Sequence, residues 1–192
     1  AELEAIMADV TNSRSLRITA PDQQALEVLA SYKRQKEDFG STVVGQVAKP
    51  LCARRVPGRL GLSTASSQRG ECTNPSNIEH GGDAQQLVAQ AFLEQANKYF
   101  DAELALINAG GVRTDLSAGP LVVKDIHTLL PFKNTVVQLN ISGSTLRAAI
   151  ESAVRAALGP GRNTGAYPYA AGMRWIVDAT NPSEARIAQV EV

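Results

Sequence analysis

The chain has 192 residues, of which 44% are apolar and 20% charged, and its 19 basic and 19 acidic side chains give a formal net charge of zero. This length and composition are typical of a soluble domain that folds around its own core. The neutral balance argues against binding a nucleic-acid polymer or a charged membrane surface, and no apolar run is long enough to span a bilayer.

The beginning of the chain is predicted to carry a connecting helix. Pro21 and Asp22 suit the first turn of a helix, because proline needs no N–H partner there and an acid complements the helix dipole. Gly40 ends the apolar and polar pattern of this helix. We therefore expect residues 1–40 to be the end of a catalytic domain or an interdomain linker with a hinge helix, and residues 41–192 to be the main domain.

Both ends of the sequence suggest a processed chain or an excised piece. The chain starts at Ala1 rather than Met and has no signal-peptide pattern. Residues Arg186 to Val192 alternate like a strand but have no closing turn after them, so the main domain is expected to be truncated at its C-terminus.

Elements of the main domain begin with a strand at Val43 to Val47. The region from Lys49 to Gly82 has many turn-forming residues and little periodicity. Asp83 with Gln86 three residues later resembles a capping box, which predicts that Asp83 is the N-cap of the following helix.

The two cysteines, Cys52 and Cys72, flank a segment rich in Gly, Ser and Arg. No Cys-x-x-Cys pair is present, so neither zinc binding nor thioredoxin-like chemistry is supported. Both cysteines lie in polar, loop-like sequence where a free thiol would be a liability, which favours a disulfide that closes a long surface loop in an oxidising compartment. Such a loop stabilises a fold by about 3 kcal/mol. The alternative is a pair of free thiols.

The second half of the chain alternates short strands and helices without internal repeats. Buried or β-rich strands are predicted at 104–107, 121–123, 135–141 and 173–177. Helices are predicted over 124–130 and from a Ser142 cap to Gly159, and Gly119 with Pro120 is predicted to form a turn. This order predicts a mixed α/β fold of the α+β type.

The run Ile107 to Arg113 combines a strand end with side chains that suit a ligand. Asn108 can donate and accept hydrogen bonds, and Gly110 and Gly111 permit a tight turn and a close approach to a ligand. Arg113 offers a planar set of donors for phosphate or hydroxyl groups. The alternatives are a plain glycine turn and an Arg113 paired with Asp115.

An aromatic side chain follows in a second loop-like segment. Phe132 lies between Pro131 and Lys133, where its ring could stack on a nucleotide base or could instead pack in the core. Catalytic chemistry has less support in this chain. His80 and His127 lack metal-ligand spacing and are expected to lie on the surface.

Three separated motifs resemble the C-terminal domain of the 5'-nucleotidase family, which includes periplasmic UDP-sugar hydrolases and ecto-5'-nucleotidases. They are the runs 107–113, 130–135, and 165–168 followed by 172–175. The helix from Ser142 also matches, the similarity covers roughly residues 40–192, and the helix from Pro21 resembles the linker between the family's two domains. The resemblance implies layered sheets covered by helices.

The resemblance assigns roles to individual residues. Asn108 would contact the base edge or the sugar, Arg113 would hold phosphate or ribose oxygens, and Phe132 would form one side of an aromatic clamp. The family has a further arginine upstream, for which Arg69 is the nearest match. Its rivals are Arg54, Arg55 and Arg59. The family's second clamp aromatic and ribose-binding Asp would lie after the last residue of this chain.

The function implied by the resemblance is the binding half of a periplasmic or secreted hydrolase of nucleotide phosphoesters. No cofactor is expected in these residues, because the family holds two divalent metal ions in a separate N-terminal domain, where they activate the attacking water. The chain alone is expected to be inactive. The alternatives are a stand-alone nucleoside- or nucleotide-binding module, a 2',3'-cyclic-nucleotide phosphodiesterase, and a thiosulfate-oxidation hydrolase.

Overall fold

A computed structural model of the chain describes residues 22–58, 72, 75–182 and 184–192. The chain divides into two compact units, Ala1–Thr42 and Val43–Val192. Since the description starts at residue 22, the predictions for the first 21 residues lie outside the described residues. Within the described residues, no helix is long and apolar enough to cross a membrane.

The first unit contains one described helix, α1, from Gln23 to Gly40. The helix starts just after its predicted position, because Asp22 is the N-cap and not part of the first turn, and its side chain accepts a hydrogen bond of 2.8 Å from the N–H of Ala25. Pro21 lies outside the described residues. Gly40 is the last helical residue, as the stop signal predicted.

The second unit contains four helices and six strands among its described residues. In chain order they are β1 (Val43–Val47), α2 (Pro75–His80), α3 (Asp83–Ala96), β2 (Ala105–Asn108), β3 (Gly119–Val122), α4 (Val123–Leu129), α5 (Gly143–Leu158), β4 (Pro168–Ala171), β5 (Arg174–Val177) and β6 (Ile187–Glu191).

The strands form three antiparallel pairs. β1 pairs with β3, with Val47 opposite Gly119, and β5 pairs with β6. β2 pairs with β4, with Asn108 opposite Pro168. The last pairing is central to the site, because it brings the end of the Ile107 to Arg113 motif beside the loop that precedes β4.

Two clusters of apolar side chains fill the second unit. The first surrounds α5, whose buried face repeats at helical spacing, and includes the rings of Tyr167 and Tyr169. The second lies between α3, α4 and the turn after β2, and includes Ala84, Val112 and Leu129. The side chain of Ile107 packs against both clusters, so the strand that carries the motif is held from two sides.

Helix α5 begins as predicted, because the Ser142 hydroxyl accepts a hydrogen bond from the N–H of Thr145 at 3.2 Å. The capping prediction for α3 is wrong. Gly82 is the N-cap and makes no side-chain cap, while Asp83 is already helical. An N–H group in the first turn of this helix is instead bonded to a distant part of the chain, since Ala84 donates to the carbonyl of Cys52 at 3.1 Å.

Three further predictions, one for a turn and two for strands, need correction. Gly119 and Pro120 belong to β3 instead of forming a turn. Strand β2 is half-exposed, with Leu106 at 41% of its full exposure, because only one face contacts the core. Residues 135–141 form no regular structure, and no strand among the described residues pairs with them.

Candidate functional site

The motif after β2 forms a short 3-10 turn, Ala109–Gly111, that directs polar side chains outwards. Ala109 is fully buried and donates its N–H to the carbonyl of Tyr167 at 2.8 Å. The N–H of Arg113 is held by the carbonyl of Leu129 at 2.9 Å. The backbone is therefore fixed at both ends of the turn, while the side chains of Asn108 and Arg113 remain exposed.

The glycine at position 110 is required by a close approach of two backbones. A Cβ atom on Gly110 would lie 2.9 Å from the Cα atom of Gly165, which is closer than real side chains tolerate. Beside this contact, the amide of Asn108 donates to the carbonyl of Gly165 at 3.1 Å. The turn after β2 and the 3-10 turn Thr164–Ala166 therefore pack directly against each other.

Phe132 follows the end of α4, where Pro131 prevents the helix from continuing. Its side chain is 53% exposed, so the alternative of core packing is wrong. The guanidinium carbon of Arg113 lies 5.8 Å from the centre of the Phe132 ring, within the range of a cation–π interaction. Arg113 also donates to the carbonyl of Gly110 at 3.2 Å. Asp115, which the sequence offered as the alternative partner of Arg113, accepts the N–H of Ala53 at 2.7 Å.

These side chains surround one cavity of about 310 Å³. Five of the six residues predicted for the site line it, namely Asn108, Gly110, Gly111, Arg113 and Phe132, and the sixth, Arg69, lies outside the described residues. Its wall also includes Arg55, Asn134, Asn163, Gly165 and Ala166. The cavity thus presents two guanidinium groups, three amides and one aromatic ring.

The candidates for the upstream arginine lie in different places. Arg54 is only 1% exposed and donates to the carbonyl of Cys72 at 3.2 Å, which is a structural contact. Arg55 lines the cavity and donates to the hydroxyl of Thr164 at 3.4 Å. Burial and the nearby charge of Arg113 lower the pKa of Arg55. Arg69 and Arg59 lie outside the described residues.

The predicted disulfide between Cys52 and Cys72 is present. Both sulfur-bearing residues are buried at 2% exposure, so the bond is covered by the fold and not exposed on a surface loop. The backbone of Cys52 also contacts the first turn of α3, since its carbonyl accepts the N–H of Ala84 at 3.1 Å.

Several titratable groups lie outside the cavity. His80 and His127 are exposed, as predicted, and His80 lies 3.8 Å from Glu79. Burial raises the pKa of Tyr167 to about 12 and also raises the pKa of Tyr169. Among the described residues, no group of three His, Cys, Asp or Glu side chains is arranged to hold a metal ion.

Comparison with known families gives a match between residues 43–192 and the family described as "5'-nucleotidase, C-terminal domain". The chain belongs to this family. The match spans the whole second unit and supports the predicted fold class.

The relatives of this 5'-nucleotidase C-terminal domain are longer proteins. The chain is 30% identical over 184 residues to a probable 5'-nucleotidase of Treponema pallidum, covering 91% of this chain and 28% of the relative. It is 29% identical over 184 residues to an NAD 5'-nucleotidase of Haemophilus influenzae, covering 93% and 27%. The chain therefore spans less than a third of the length of these relatives.

Solved structures agree with the fold. The structure of a 5'-nucleotidase precursor from Thermus thermophilus superposes with a TM-score of 0.66 and 25% identity, covering 90% of this chain and 30% of that one. The NAD nucleotidase of Haemophilus influenzae gives a TM-score of 0.60 and 28% identity, with coverage of 89% and 28%. The mixed helices and small antiparallel sheets are thus those of this domain family.

Sequence reasoning missed part of the cavity wall. Asn134 was not among the predicted site residues, although its position inside the Leu130 to Thr135 motif is a signal that could have identified it. Asn163 lies in a loop rich in Gly, Pro and Asn, and only the pairing of β2 with β4 brings that loop to the cavity. No local pattern in the sequence distinguishes Asn163 from an ordinary loop residue.

Proposed function

We propose that this domain binds a nucleotide in the cavity between the turn after β2, the Phe132 loop and the turn before β4. The observation that carries the proposal is the convergence of an exposed aromatic ring, three amides and Arg113 on one cavity of about 310 Å³. This combination matches the parts of a nucleotide, which offers an aromatic base, polar edges and an anionic phosphate.

Each side chain has a role in this proposal. The base stacks on the exposed ring of Phe132, and Asn108 contacts the base edge or the neighbouring sugar. Arg113 holds phosphate or ribose oxygens with its planar donors. The glycines at 110 and 111 leave the backbone of the turn open to the ligand.

The parent reaction we propose is the hydrolysis of nucleotide phosphoesters. Two divalent metal ions in a separate N-terminal domain would polarise the phosphate and activate water. This domain would supply binding energy and orientation to that reaction and no nucleophile. Residues 1–40 would form the end of the catalytic domain or the linker with a hinge helix, and α1 would allow the domains to rotate.

We further propose that the protein works in the periplasm or is secreted. A buried disulfide between Cys52 and Cys72 supports an oxidising compartment, because cytosolic thiols are kept reduced. One relative is named a probable 5'-nucleotidase and another an NAD 5'-nucleotidase, so AMP, as a simple 5'-nucleotide, and NAD are the first two ligands to test.

The decisive experiment compares the binding of adenosine to the wild-type chain and to Phe132→Ala by isothermal titration calorimetry. Loss of one stacking face should weaken binding by about 1–3 kcal/mol. Phe132→Tyr keeps an aromatic face and should bind with nearly wild-type affinity. Tyr99→Ala removes an exposed aromatic side chain that does not line the cavity, and it should have no effect. Unchanged affinity in Phe132→Ala would contradict the proposal.

A second experiment tests where the chemistry occurs. The purified chain, supplied with divalent metal ions, is expected to show no appreciable hydrolysis of AMP. Efficient cleavage by these 192 residues alone would contradict the assignment of the reaction to a separate domain.

A further inference from the structure

Residues 135–141 have the sequence of a β-strand but no strand partner among the described residues. Four of these seven residues are β-branched, which favours an extended backbone. None of their backbone N–H and C=O groups forms a hydrogen bond within the part of the chain that the structure describes. Backbone groups left unpaired along such a segment are a template for a further strand.

The side chains of this segment are mostly apolar, and the largest of them are exposed. Val137 and Leu139 expose 70% and 73% of their surfaces. No charged residue lies between Lys133 and Arg147. Exposed sheet edges are commonly protected by charged residues or by proline, and residues 135–141 contain neither. Short β-rich segments of low charge without proline are the kind of sequence that pairs with copies of itself.

The same segment forms part of the wall of a groove of about 1330 Å³. Other parts of the wall come from the turn after α3 and from β2, where the side chains of Phe100 and Leu106 are exposed. Among the described residues that line the groove, only Asp101, Glu103 and Lys133 are charged. The groove therefore suits an uncharged extended strand better than a charged peptide, because charges are costly to bury without partners.

Two copies of the segment match each other in an antiparallel pair that is centred on Gln138. In this register Val137 of each copy lies opposite Leu139 of the other, and Thr135 lies opposite Ile141. Because alternate side chains of a strand share a face, these four residues of each copy form one mainly apolar face. The two Gln138 side chains meet on the other face, where their amides can donate to and accept from each other. A shift by one residue would place Leu139 opposite Gln138 and lose this match.

We propose that residues 135–141 are a dimerisation strand, through which two copies of this chain form a symmetric antiparallel pair at the groove. A second copy fits because it brings the same uncharged strand in a matching register, and a twofold pair of this kind is closed. The formal net charge of zero adds no long-range repulsion between the copies. One pair of strands is a small interface, so the dimer is weak, with a Kd of roughly 1–100 µM. This proposal does not depend on nucleotide binding.

Sedimentation velocity of the 192-residue chain over a range of about 1–500 µM tests the proposal. The wild type should change from one chain to two over this range. Val137→Lys combined with Leu139→Lys should raise the Kd of the dimer at least about tenfold, because two pairs of like charges would replace two apolar pairs. Both side chains are exposed, so the double variant should keep the wild-type far-ultraviolet circular dichroism spectrum.

Two comparisons make the result specific. Val43→Lys combined with Ile176→Lys adds the same charges at exposed apolar positions that do not line the groove, and this control should dimerise like the wild type. The register is tested at low ionic strength by mixing single variants. A mixture of Val137→Lys with Leu139→Glu places opposite charges face to face. It should associate at least about threefold more tightly than a mixture of Val137→Lys with Val137→Glu, whose charges are not directly opposed.

Each contrary result overturns a stated part of the proposal. A wild type that remains a single chain at the highest concentration would overturn it and would favour another segment of the polypeptide as the occupant of the groove. Unchanged dimerisation of the double variant at 137 and 139 would place the interface elsewhere. A control that fails to dimerise would mean that added charge alone prevents association. Growth beyond two chains would overturn the closed pair, and equal affinities of the two mixtures would overturn the register.

Discussion

The substitution Tyr169→Phe removes a single hydroxyl from the support of the cavity. Tyr169 is only 5% exposed, and its ring packs in the cluster around α5. The hydroxyl accepts the N–H of Gly82 at 3.0 Å and donates to the carbonyl of Arg54 at 2.5 Å. It therefore joins the start of α3 to the residue next to Arg55.

The expected loss follows from the two partners that would remain buried. The ring keeps its packing in Tyr169→Phe, so no large cavity forms. The N–H of Gly82 and the carbonyl of Arg54 would each lose a hydrogen bond, at a cost of about 1–3 kcal/mol for an unsatisfied buried group. With partial relaxation, we expect the free energy of unfolding to fall by roughly 2–4 kcal/mol.

Urea unfolding at 25 °C, followed by far-ultraviolet circular dichroism, measures this loss. Tyr99→Phe serves as the matched control, because Tyr99 is 74% exposed, and it should stay within about 0.5 kcal/mol of wild type. A loss of less than about 0.5 kcal/mol in Tyr169→Phe would refute the reasoning, since it would mean that water or other groups satisfy both partners.

Further changes test the rest of the support. The double substitution Cys52→Ser with Cys72→Ser should lower the free energy of unfolding in urea by about 3 kcal/mol, because the disulfide joins residues 20 positions apart. A double variant as stable as the wild type would contradict this expectation. Gly110→Ala should weaken AMP binding by at least about tenfold in calorimetry. The new Cβ atom would lie 2.9 Å from the Cα atom of Gly165 and would force the two turns apart. Wild-type affinity for AMP in this variant would argue against the close packing of the two turns. The pKa of Tyr167 is raised to about 12 by burial, so the neutral form stabilises the fold below pH 10 and this contribution is lost as pH rises towards 12. Tyr167→Phe should therefore lose less stability than wild type between pH 10 and 12 in urea titrations, and parallel pH profiles would contradict the shift.

Helices were predictable where the local pattern and the tertiary environment agree. The apolar spacing of Leu146, Ile150 and Val154 places all three on one face, and the fold buries that face. Ser142 was recognised because capping depends on a few neighbouring residues. Asp83 fitted the same kind of pattern but failed, because the groups that satisfy the start of α3, such as Cys52 and Tyr169, come from distant parts of the chain.

Strands were less predictable, because a strand needs a partner as well as a suitable sequence. Residues 135–141 are rich in β-branched and apolar side chains, yet Val137 and Leu139 are 70% and 73% exposed and no described strand pairs with this segment. Strand β4, Pro168–Ala171, was missed for the opposite reason. Its short sequence begins with proline and ends in two alanines, which is a weak strand signal, but it pairs with β2 along its whole length.

The same distinction separates the predicted from the unpredicted parts of the site. Asn108, Gly110 and Arg113 lie within six consecutive residues, so their chemistry could be read as one motif. Arg54 and Arg55 are neighbours of identical type, and nothing in the sequence separates their roles. Only the fold directs Arg54 to the buried carbonyl of Cys72 and Arg55 to the cavity. The contact of Arg55 with Thr164 spans 109 residues, so the assignment of this cation to the site depends on tertiary structure.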